Sequence, residues 1–224
     1  MNGIDATGKV NPDDFIITRK RKKYKFAKFA NAENCFEFDE WQRGKYSVDV
    51  LEVGAGTGLF TVQMAEAQPG RSYLALDVKA DRLQKGAYAA IDKDLADVRF
   101  IRARGDQIDQ VVEPGSVSEV WITFPDPFPR KRSAGRRLTH PSFLKKYQSI
   151  LKPGGALFLK HDNREFFMWS LEMLVKEGWV IEELSFDLHE SDLDGRYKYT
   201  TTYEDRWLSE GLVTNFVKAR SVSS

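Results

Sequence analysis

The sequence has few of the side chains that build disulfide frameworks and metal centres. It contains one cysteine, Cys35, and three histidines that are far apart in the chain: His140, His161 and His189. A single cysteine cannot form an internal disulfide, and scattered histidines lack the spacing of metal ligands. We therefore expect a protein of a reducing compartment, without a disulfide framework and without a metal site.

Long apolar segments are also missing. The sequence has no stretch of about eighteen consecutive apolar residues, the length that crosses a bilayer, and its first residues carry no apolar secretion signal. We expect a cytoplasmic protein that is neither secreted nor membrane-spanning. The 224 residues, 42% hydrophobic and 30% charged, suffice for one α/β domain with a full hydrophobic core. Residues 1–18 are predicted to form a mobile tail, and 19–224 the single domain.

Positive charge is concentrated in two segments, although the net charge is only +1. Residues 19–28, RKRKKYKFAK, contain seven basic side chains and no acidic one. A second cluster lies in a loop-like stretch and comprises Arg130, Lys131, Arg132, Arg136 and Arg137. Local fields of this kind, rather than net charge, decide where a polyanion binds.

Short apolar runs alternate with longer amphipathic ones along the rest of the chain. They predict strands over 48–53, 73–77, 98–102, 117–124, 156–160, 179–187 and 213–219. Between them they predict helices over 59–67, 80–91, 141–151 and 164–177. This alternation indicates an α/β fold, with a mostly parallel, seven-stranded sheet and helices on both faces. Ligands of such sheets bind beyond the carboxyl ends of the strands.

A glycine-rich loop follows the first predicted strand. In LEVGAGTGL, Gly54, Gly56 and Gly58 permit a tight turn and a close approach of the backbone to a ligand. Leu59 stands where the dinucleotide fingerprint needs glycine, so a nicotinamide oxidoreductase is only a distant alternative. Glu52 would repel a pyrophosphate but attract the ammonium and sulfonium groups of S-adenosylmethionine (SAM).

Two further acids follow the next two predicted strands. Asp77 ends the second strand, where a carboxylate can accept both hydroxyls of a ribose. Asp106, after the third strand, is placed to meet the adenine side of the pocket. Taken singly, Glu52 could be a strand-end acid and Asp106 a helix cap. Together with the glycines, these acids predict a SAM site.

The fourth predicted strand ends in a proline-flanked aspartate with a basic tail, TFPDPFPRKRSAGRRL. Pro125 and Pro127 hold Asp126 in an extended turn, which could be only a rigid surface turn before a solvated charge run. However, this carboxylate stands where the cofactor methyl should point, and the arginines beside it can hold phosphates. Asp162 and the segment 201–204 are predicted to lie on the same rim.

These segments resemble the bacterial tRNA (guanine-N7)-methyltransferases, specifically the type common in Gram-positive bacteria. The resemblance runs from about Arg19 to the C-terminus, through LEVGAGTG, FPDPFPRKR with RRLTHPSFLKKY, KHDNREFF, DLHESDLDG and TTYE. It implies a Rossmann-like SAM-dependent methyltransferase fold and methyl transfer to N7 of the variable-loop guanine of tRNA. The chain departs from the family pattern at Phe128, Arg130 and His161, where tryptophan, lysine and threonine are usual.

The resemblance also implies roles for individual residues. The cofactor would be held by Glu52, Gly54, Gly56, Gly58, Asp77, Asp106 and Asp126. The substrate would contact Arg130, Asp162, Thr201, Thr202, Tyr203 and Glu204. RNA would contact Arg132, Arg136 and Arg137. No obligate protein partner is implied, and we expect a monomer or a homodimer.

Guanine N7 carries a lone pair and no proton, so alignment with the methyl group can supply most of the catalysis. Asp126 is the predicted catalytic residue, because a fixed carboxylate stabilises the positive charge that develops on the imidazole ring. Asp162 or Glu204 could accept hydrogen bonds from the guanine edge. Phe128 could stack on the base, or it could be a core or lid residue. Two other functions stay open: a SAM-dependent methyltransferase of a small molecule or protein, and an RNA-binding protein that has lost catalysis.

Overall fold

The computed structural model describes residues 8–17 and 19–221. Its sheet contains the strands β1 (Cys35–Glu37), β2 (Val50–Val53), β3 (Tyr73–Asp77), β4 (Val98–Arg102), β5 (Val117–Thr123), β6 (Leu151–His161), β7 (Trp179–Ser185) and β8 (Asn215–Ser221). Its α-helices are α1 (Lys20–Asn31), α2 (Phe38–Trp41), α3 (Leu59–Ala67), α4 (Ala80–Asp92), α5 (Ile108–Val111), α6 (Pro141–Ile150), α7 (Arg164–Lys176) and α8 (Thr202–Ser209). Short 3-10 turns occupy Pro12–Asp14, Gly105–Gln107, Lys131–Arg136 and Gly195–Lys198.

The strands form one sheet in the order β1-β4-β3-β2-β5-β6-β8-β7. All neighbours are parallel except β8, which is antiparallel to both β6 and β7. The predicted mostly parallel α/β fold is confirmed, with one correction: the described residues contain eight strands rather than seven. The additional strand, β1, has three residues and pairs only with β4.

Strand order changes direction between β2 and β5, which places the switch point of the sheet there. Every residue of β2 is buried, as expected for a central parallel strand that is covered on both faces. The core on one face includes residues of α5, α6 and α7, and the core on the other face includes residues of α1, α3 and α4. Ligands of such sheets bind above the switch point, so the loops after β2 and β5 are expected to carry the site.

Most element bounds agree with the sequence prediction, and the largest difference concerns β6. The predicted strand covered 156–160, whereas β6 runs from Leu151 to His161 and includes the KPGG segment. The last strand begins at Asn215, two residues later than predicted. No helix in the described part of the chain has the length and apolar character needed to cross a membrane.

The predicted N-terminal tail is only partly covered by the structure. Residues 1–7 and 18 lie outside the described residues. Within 8–17, Val10 exchanges two hydrogen bonds with the side-chain amide of Asn31, at 2.8 and 3.0 Å. This contact ties the described part of the segment to the end of α1. The boundary near residue 18 stays a prediction.

Candidate active site

The three glycines between β2 and α3 form a left-handed turn at the carboxyl edge of the sheet. Gly54, Gly56 and Gly58 have φ angles of 77°, 57° and 70°, a region that other residues rarely adopt. A Cβ at Gly58 would lie 2.5 Å from the Phe100 ring, whereas one at Gly56 would meet nothing within 4 Å. The loop is therefore packed against the sheet at Gly58 and leaves an open backbone surface at Gly56.

Asp77, the last residue of β3, holds this loop in place. One of its carboxylate oxygens accepts the N–H of Gly56 and the other accepts the N–H of Lys79, both at 2.8 Å. Burial raises the pKa of Asp77, and the two backbone donors offset part of the rise. The predicted ribose-binding acid thus lies beside the glycine loop, although contact with a ribose stays a prediction.

Glu52 is the one charged residue of β2, and only 1% of it is exposed. Its two oxygens accept hydrogen bonds from the hydroxyls of Thr61, in the first turn of α3, and Thr123, at the end of β5. Burial raises the pKa of Glu52 to about 7, although both hydroxyls act in the opposite direction. Within the described residues Glu52 has no ion-pair partner within 4 Å. A cation bound near it would favour its ionised form.

Asp106 follows β4 in the 3-10 turn Gly105–Gln107. Its carboxylate pairs with the Arg104 guanidinium through two contacts of 2.6 and 3.0 Å, and 45% of its side chain is exposed. Because β3 and β4 are parallel neighbours, Asp106 and Asp77 lie at the same edge of the sheet. The alternative role of Asp106 as a helix cap is wrong, since Arg104 occupies the cap position of the 3-10 turn and Gln107 that of α5.

The proline-flanked Asp126 is held in place from both sides. His161 Nε2 lies 2.9 Å from the Pro125 carbonyl oxygen, and Arg137 Nε donates to the Pro127 carbonyl oxygen at 3.0 Å. Between these two anchors the Asp126 side chain is exposed. His161, whose role the sequence left open, therefore contacts this turn directly.

The aromatic residues on either side of the turn have unusual backbone conformations. Phe124 and Phe128 have φ angles of 48° and 40°, which are rare for bulky residues and are often found near functional sites. The Phe124 ring lies 5.4 Å from the Tyr203 ring. The Arg136 guanidinium lies 4.5 Å from the Phe128 ring centroid. Phe128 is thus half-buried with a cation over its ring, rather than part of the core.

The arginine predicted to contact the substrate, Arg130, and those predicted to contact RNA differ in orientation. Arg130, Arg132 and Arg136 are exposed, in and next to the 3-10 turn Lys131–Arg136. Arg137 points inward: besides its bonds to the proline-flanked turn, its guanidinium lies 4.2 Å from the Trp169 ring centroid. The first three can reach an external phosphate as they stand, whereas Nε and Nη2 of Arg137 donate to backbone carbonyl oxygens of the protein.

Asp162 follows β6 and lies at the rim of the same edge. The Tyr203 hydroxyl donates to one of its oxygens at 3.3 Å. His161 Nδ1 lies 3.1 Å from the other oxygen and 2.8 Å from the Asn163 amide nitrogen. Partial burial acts to raise the pKa of Asp162, but the contact with His161, a backbone hydrogen bond and the Tyr203 hydroxyl together outweigh it, and the pKa lies below its usual value. Asp162 is therefore an ionised acceptor that is still partly accessible.

A buried ion pair joins β6 to the start of α8. Lys160 Nζ donates to Glu204 Oε2 and to the Tyr199 carbonyl oxygen, both at 2.7 Å, and neither charged side chain is more than 1% exposed. Glu204 Oε1 accepts from the Thr214 hydroxyl at 3.0 Å and lies 2.8 Å from His189 Nε2. Burial acts to raise the pKa of Glu204, but His189 and Lys160 outweigh it and lower the pKa. Burial in turn lowers the pKa of Lys160.

The segment 201–204 forms the first turn of α8. Thr201 Oγ1 accepts the N–H of Glu204 at 3.0 Å, and the Thr201 N–H donates to the Glu204 carboxylate at 3.2 Å, which makes a capping box. The next two side chains, Thr202 and Tyr203, are exposed. Gln63 of α3 donates to the carbonyl just before Thr201 at 2.9 Å. This bond ties the segment to the helix that follows the glycine loop.

Three polar residues that organise this edge were not predicted from the sequence: Lys160, Thr61 and Thr123. Lys160 carried a signal, because a lysine within the apolar run ALFLKH of a central strand needs a buried partner. Thr61 and Thr123 gave no such signal, because threonine is a common residue in helices and strands. Among residues 8–17 and 19–221, no group of three or more His, Cys, Asp or Glu side chains could hold a metal ion.

Comparison with protein families and curated proteins gives a consistent result. A family model described as "Putative methyltransferase" matches residues 46–216. The relative from Cytophaga hutchinsonii is 38% identical over 75% of this chain and 78% of its own length. Those from Bacteroides thetaiotaomicron and Bacillus subtilis are 32% and 34% identical, covering 90% and 72% of this chain and 86% and 75% of their own lengths. All three are named tRNA (guanine-N(7)-)-methyltransferase.

Solved structures resemble the chain in fold. The 16S rRNA methyltransferase KamB superposes with a TM-score of 0.59 at 18% identity, over 86% of this chain and 94% of that one. The 16S rRNA (adenine(1408)-N(1))-methyltransferase from Catenulisporales acidiphilia gives a TM-score of 0.58 at 18% identity, over 84% and 94% of the two chains. At this identity the likeness supports the methyltransferase fold and no finer statement.

Proposed function

Because this chain belongs to the tRNA (guanine-N(7)-)-methyltransferase family, we propose that it methylates N7 of the variable-loop guanine of tRNA with SAM as the donor. The observation that carries the proposal is the exposed Asp126 carboxylate, anchored by His161 and Arg137 beside exposed arginines. A rigid acid next to phosphate-binding side chains suits a base within a nucleic acid. A cytoplasmic enzyme without an obligate protein partner is part of the same proposal.

The residues at the carboxyl edge fit SAM, which supplies an electrophilic methyl group on a positively charged sulfur. The open backbone at Gly56, between Gly54 and Gly58, offers a surface that a Cβ would otherwise occupy. Glu52 is a buried acid without a cation, and its ionised form would be favoured by a cationic ligand. We assign the ribose hydroxyls to Asp77 and the adenine side to Asp106.

Asp126 is the proposed catalytic residue. Guanine N7 needs no base, so the enzyme has to align the nucleophile and stabilise the positive charge that the ring acquires. A carboxylate whose turn is anchored on both sides can stabilise this positive charge without reorganising, because its position is set before the substrate binds. His161 and Arg137 are then positioning residues, acting through the turn rather than on the base.

Guanine recognition is assigned to the rim formed by Asp162 and the start of α8. Asp162 is ionised and partly accessible, so it can accept hydrogen bonds from guanine N1–H and N2–H2. Thr202 and Tyr203 are proposed substrate contacts through their exposed side chains. Thr201 and Glu204 belong to the same proposed site, where their mutual hydrogen bonds hold the first turn of α8.

The exposed arginines after β5 are assigned to the tRNA backbone. Each guanidinium of Arg130, Arg132 and Arg136 can hold a phosphate through two parallel hydrogen bonds. Contacts of this kind give orientation and salt-dependent affinity but no base specificity. Arg137 would contribute to RNA binding mainly by fixing the shape of the turn.

Incubation of the purified protein with an unmodified tRNA transcript and labelled SAM tests the proposal. After nuclease digestion, mass spectrometry should find 7-methylguanosine, and replacing the variable-loop guanine should abolish it. Asp126→Asn should lower kcat at saturating SAM, and an unchanged kcat would remove Asp126 from catalysis. SAM binding without methylation of any tRNA would refute the proposal and favour a small-molecule or protein substrate, whereas tRNA binding without SAM binding would indicate an RNA-binding protein.

A further inference from the structure

A second basic surface lies on α1, apart from the cluster that follows β5. Its members Arg19, Arg21, Lys22 and Lys25 line one shallow cleft together with a single acid, Asp81. The first three side chains are exposed and Lys25 is half-buried. We call these four basic residues the α1 face.

The α1 face lies at the same edge of the sheet as the candidate active site. Asp81 is in the first turn of α4, four residues after Asp77, the acid that ends β3 and braces the glycine loop. The cluster at 130–137 follows β5, which is on the opposite side of β2 from β3. The glycine loop and its acids therefore lie between two basic surfaces.

The charge of the α1 face is not neutralised within the described residues. Among the described residues, the one ion pair of α1 joins Lys23 to Asp13 at 3.7 Å, and no carboxylate lies within 4 Å of the charged atoms of the α1 face. The helix also begins without an acidic residue in its first turn and without a side-chain cap at Arg19. The positive end of the helix dipole thus adds to the side-chain charge, an arrangement that a polyanion would stabilise.

The opposite side of α1 packs against the core of the protein. Ala27 and Phe29 are buried, 4% and 2% exposed, and Phe29 packs in the core with residues of α4. A helix that lies on a membrane surface inserts an exposed apolar side into the lipid. The apolar side of α1 is instead packed against the protein core. Tyr24 is 53% exposed among the cations, and such a ring can stack on an unpaired base. These features favour RNA over a lipid surface.

We propose that the α1 face binds backbone phosphates of the tRNA substrate on the cofactor side of the active site, opposite the exposed arginines that follow β5. This inference rests on the proposed function. Two basic surfaces on either side of the site would fix the orientation of a long, rigid polyanion, which one surface alone cannot do. Each phosphate contact releases condensed counterions, so the α1 face should contribute to the salt dependence of binding.

The test compares two variants of equal charge. The first replaces the α1 face with glutamine: Arg19→Gln, Arg21→Gln, Lys22→Gln and Lys25→Gln. The control removes four exposed lysines near the amino ends of the strands, at the opposite edge: Lys45→Gln, Lys93→Gln, Lys152→Gln and Lys176→Gln. tRNA affinity is measured by filter binding from low to high salt, KM for tRNA by methyl transfer, and SAM affinity by calorimetry.

The α1-face variant should bind tRNA at least tenfold more weakly at physiological salt, and its slope of log K against log[salt] should fall by about 2–4. Its KM for tRNA should rise, and its SAM affinity should equal that of the wild type. The control should keep most of the wild-type slope. Equal slopes and affinities for the two variants would overturn the inference.

Two additions keep the result interpretable. The half variants Arg19→Gln/Arg21→Gln and Lys22→Gln/Lys25→Gln should each show about half of the fall in slope that the full variant shows. Thermal unfolding checks that all variants fold. A wild type that binds tRNA but methylates none would refute the proposed function, while the slopes would still test the α1 face. Binding to anionic lipid vesicles that depends on the α1 face, with unchanged tRNA binding, would overturn the inference in favour of a membrane.

Discussion

Replacing Glu52 by glutamine tests whether this buried carboxylate destabilises the ligand-free protein. Burial raises its pKa from 4.5 to about 7, and a shift of this size corresponds to about 3 kcal/mol against the ionised form. Glutamine has nearly the same shape and can still exchange hydrogen bonds with Thr61 and Thr123, but it cannot ionise. Glu52→Gln should therefore raise the free energy of unfolding of the ligand-free protein at pH 8.

The gain should depend on pH in a defined direction. The folded pKa lies above the unfolded one, so between pH 4.5 and 7 the folded protein keeps a proton that the unfolded chain has lost. The wild type thus loses stability relative to the variant as the pH rises through this window, and the difference is constant above it. We expect a difference of up to about 3 kcal/mol at pH 8 and about 1 kcal/mol or less at pH 5.

Urea unfolding of both proteins at pH 5, 6, 7 and 8 measures this difference. Glu66→Gln is the matched control, because Glu66 is an exposed glutamate in a surface pair with Lys93. Its effect should stay within about 0.5 kcal/mol at every pH. If Glu52→Gln gave no gain at pH 8, or a gain that did not change with pH, the account of a burial-raised pKa would be wrong.

The same variant should bind SAM more weakly. Loss of a charge-assisted interaction of about 1.5–3 kcal/mol corresponds to roughly a tenfold to hundredfold rise in Kd. Because a nearby cation favours the ionised carboxylate, SAM binding to the wild type near pH 7 should release protons. Calorimetry in two buffers of different ionisation enthalpy would detect this release, and the variant should lack it. Equal SAM affinity in the two proteins would remove Glu52 from the cofactor site.

Other side chains give equally direct tests. Lys160→Met should lower the free energy of unfolding, measured with urea, by about 3–5 kcal/mol, because it leaves Glu204 buried without the Lys160 cation. Adding Glu204→Gln should recover most of this loss; an equal loss in the single and the double variant would contradict the ion-pair account. His161→Ala should lower kcat at least tenfold with unchanged SAM affinity by calorimetry, since the proline-flanked turn loses one anchor; an unchanged kcat would refute this. Burial acts to raise the pKa of Glu119, but bonds from a neighbouring indole and guanidinium lower it. Glu119→Gln should therefore lower the free energy of unfolding by about 1–2 kcal/mol at pH 7. This loss should be constant above pH 4.5 and shrink as the pH falls from 4.5 through the lowered pKa of Glu119; a loss that does not shrink there would contradict the assignment.

The regular elements were predictable where burial on both faces leaves a continuous apolar run. Tyr73–Asp77 and Val98–Arg102 were predicted with the bounds that the structure has. β1 was not predicted, because Cys35–Glu37 is too short to show a period, and only its pairing with β4 makes it a strand. Strand character of this kind comes from the tertiary partner rather than from the local sequence.

The positions of the site acids were predictable for a topological reason. Glu52, Asp77 and Asp126 each lie at or just after the end of a parallel strand, so the topology alone brings them to one edge. The orientation of the arginines was not predictable, because a loop has no period that separates inward from outward positions. Arg137 points inward because α7 presents Trp169 to its guanidinium.

The acids at this edge of the sheet differ in the direction of their pKa shifts. The difference separates the proposed cofactor end of the site, with Glu52 and Asp77, from the proposed substrate end, with Asp162 and Glu204. Burial raises the pKa of Glu52 and of Asp77, whereas neighbouring groups lower the pKa of Asp162 and of Glu204 despite burial. Without a cation, the cofactor end can relieve its desolvated charge by taking up a proton. The substrate end stays ionised over the same range of pH. Affinity for a cationic cofactor should therefore rise as the pH passes through about 7, while recognition of the guanine edge should not change, because its acceptors are already charged.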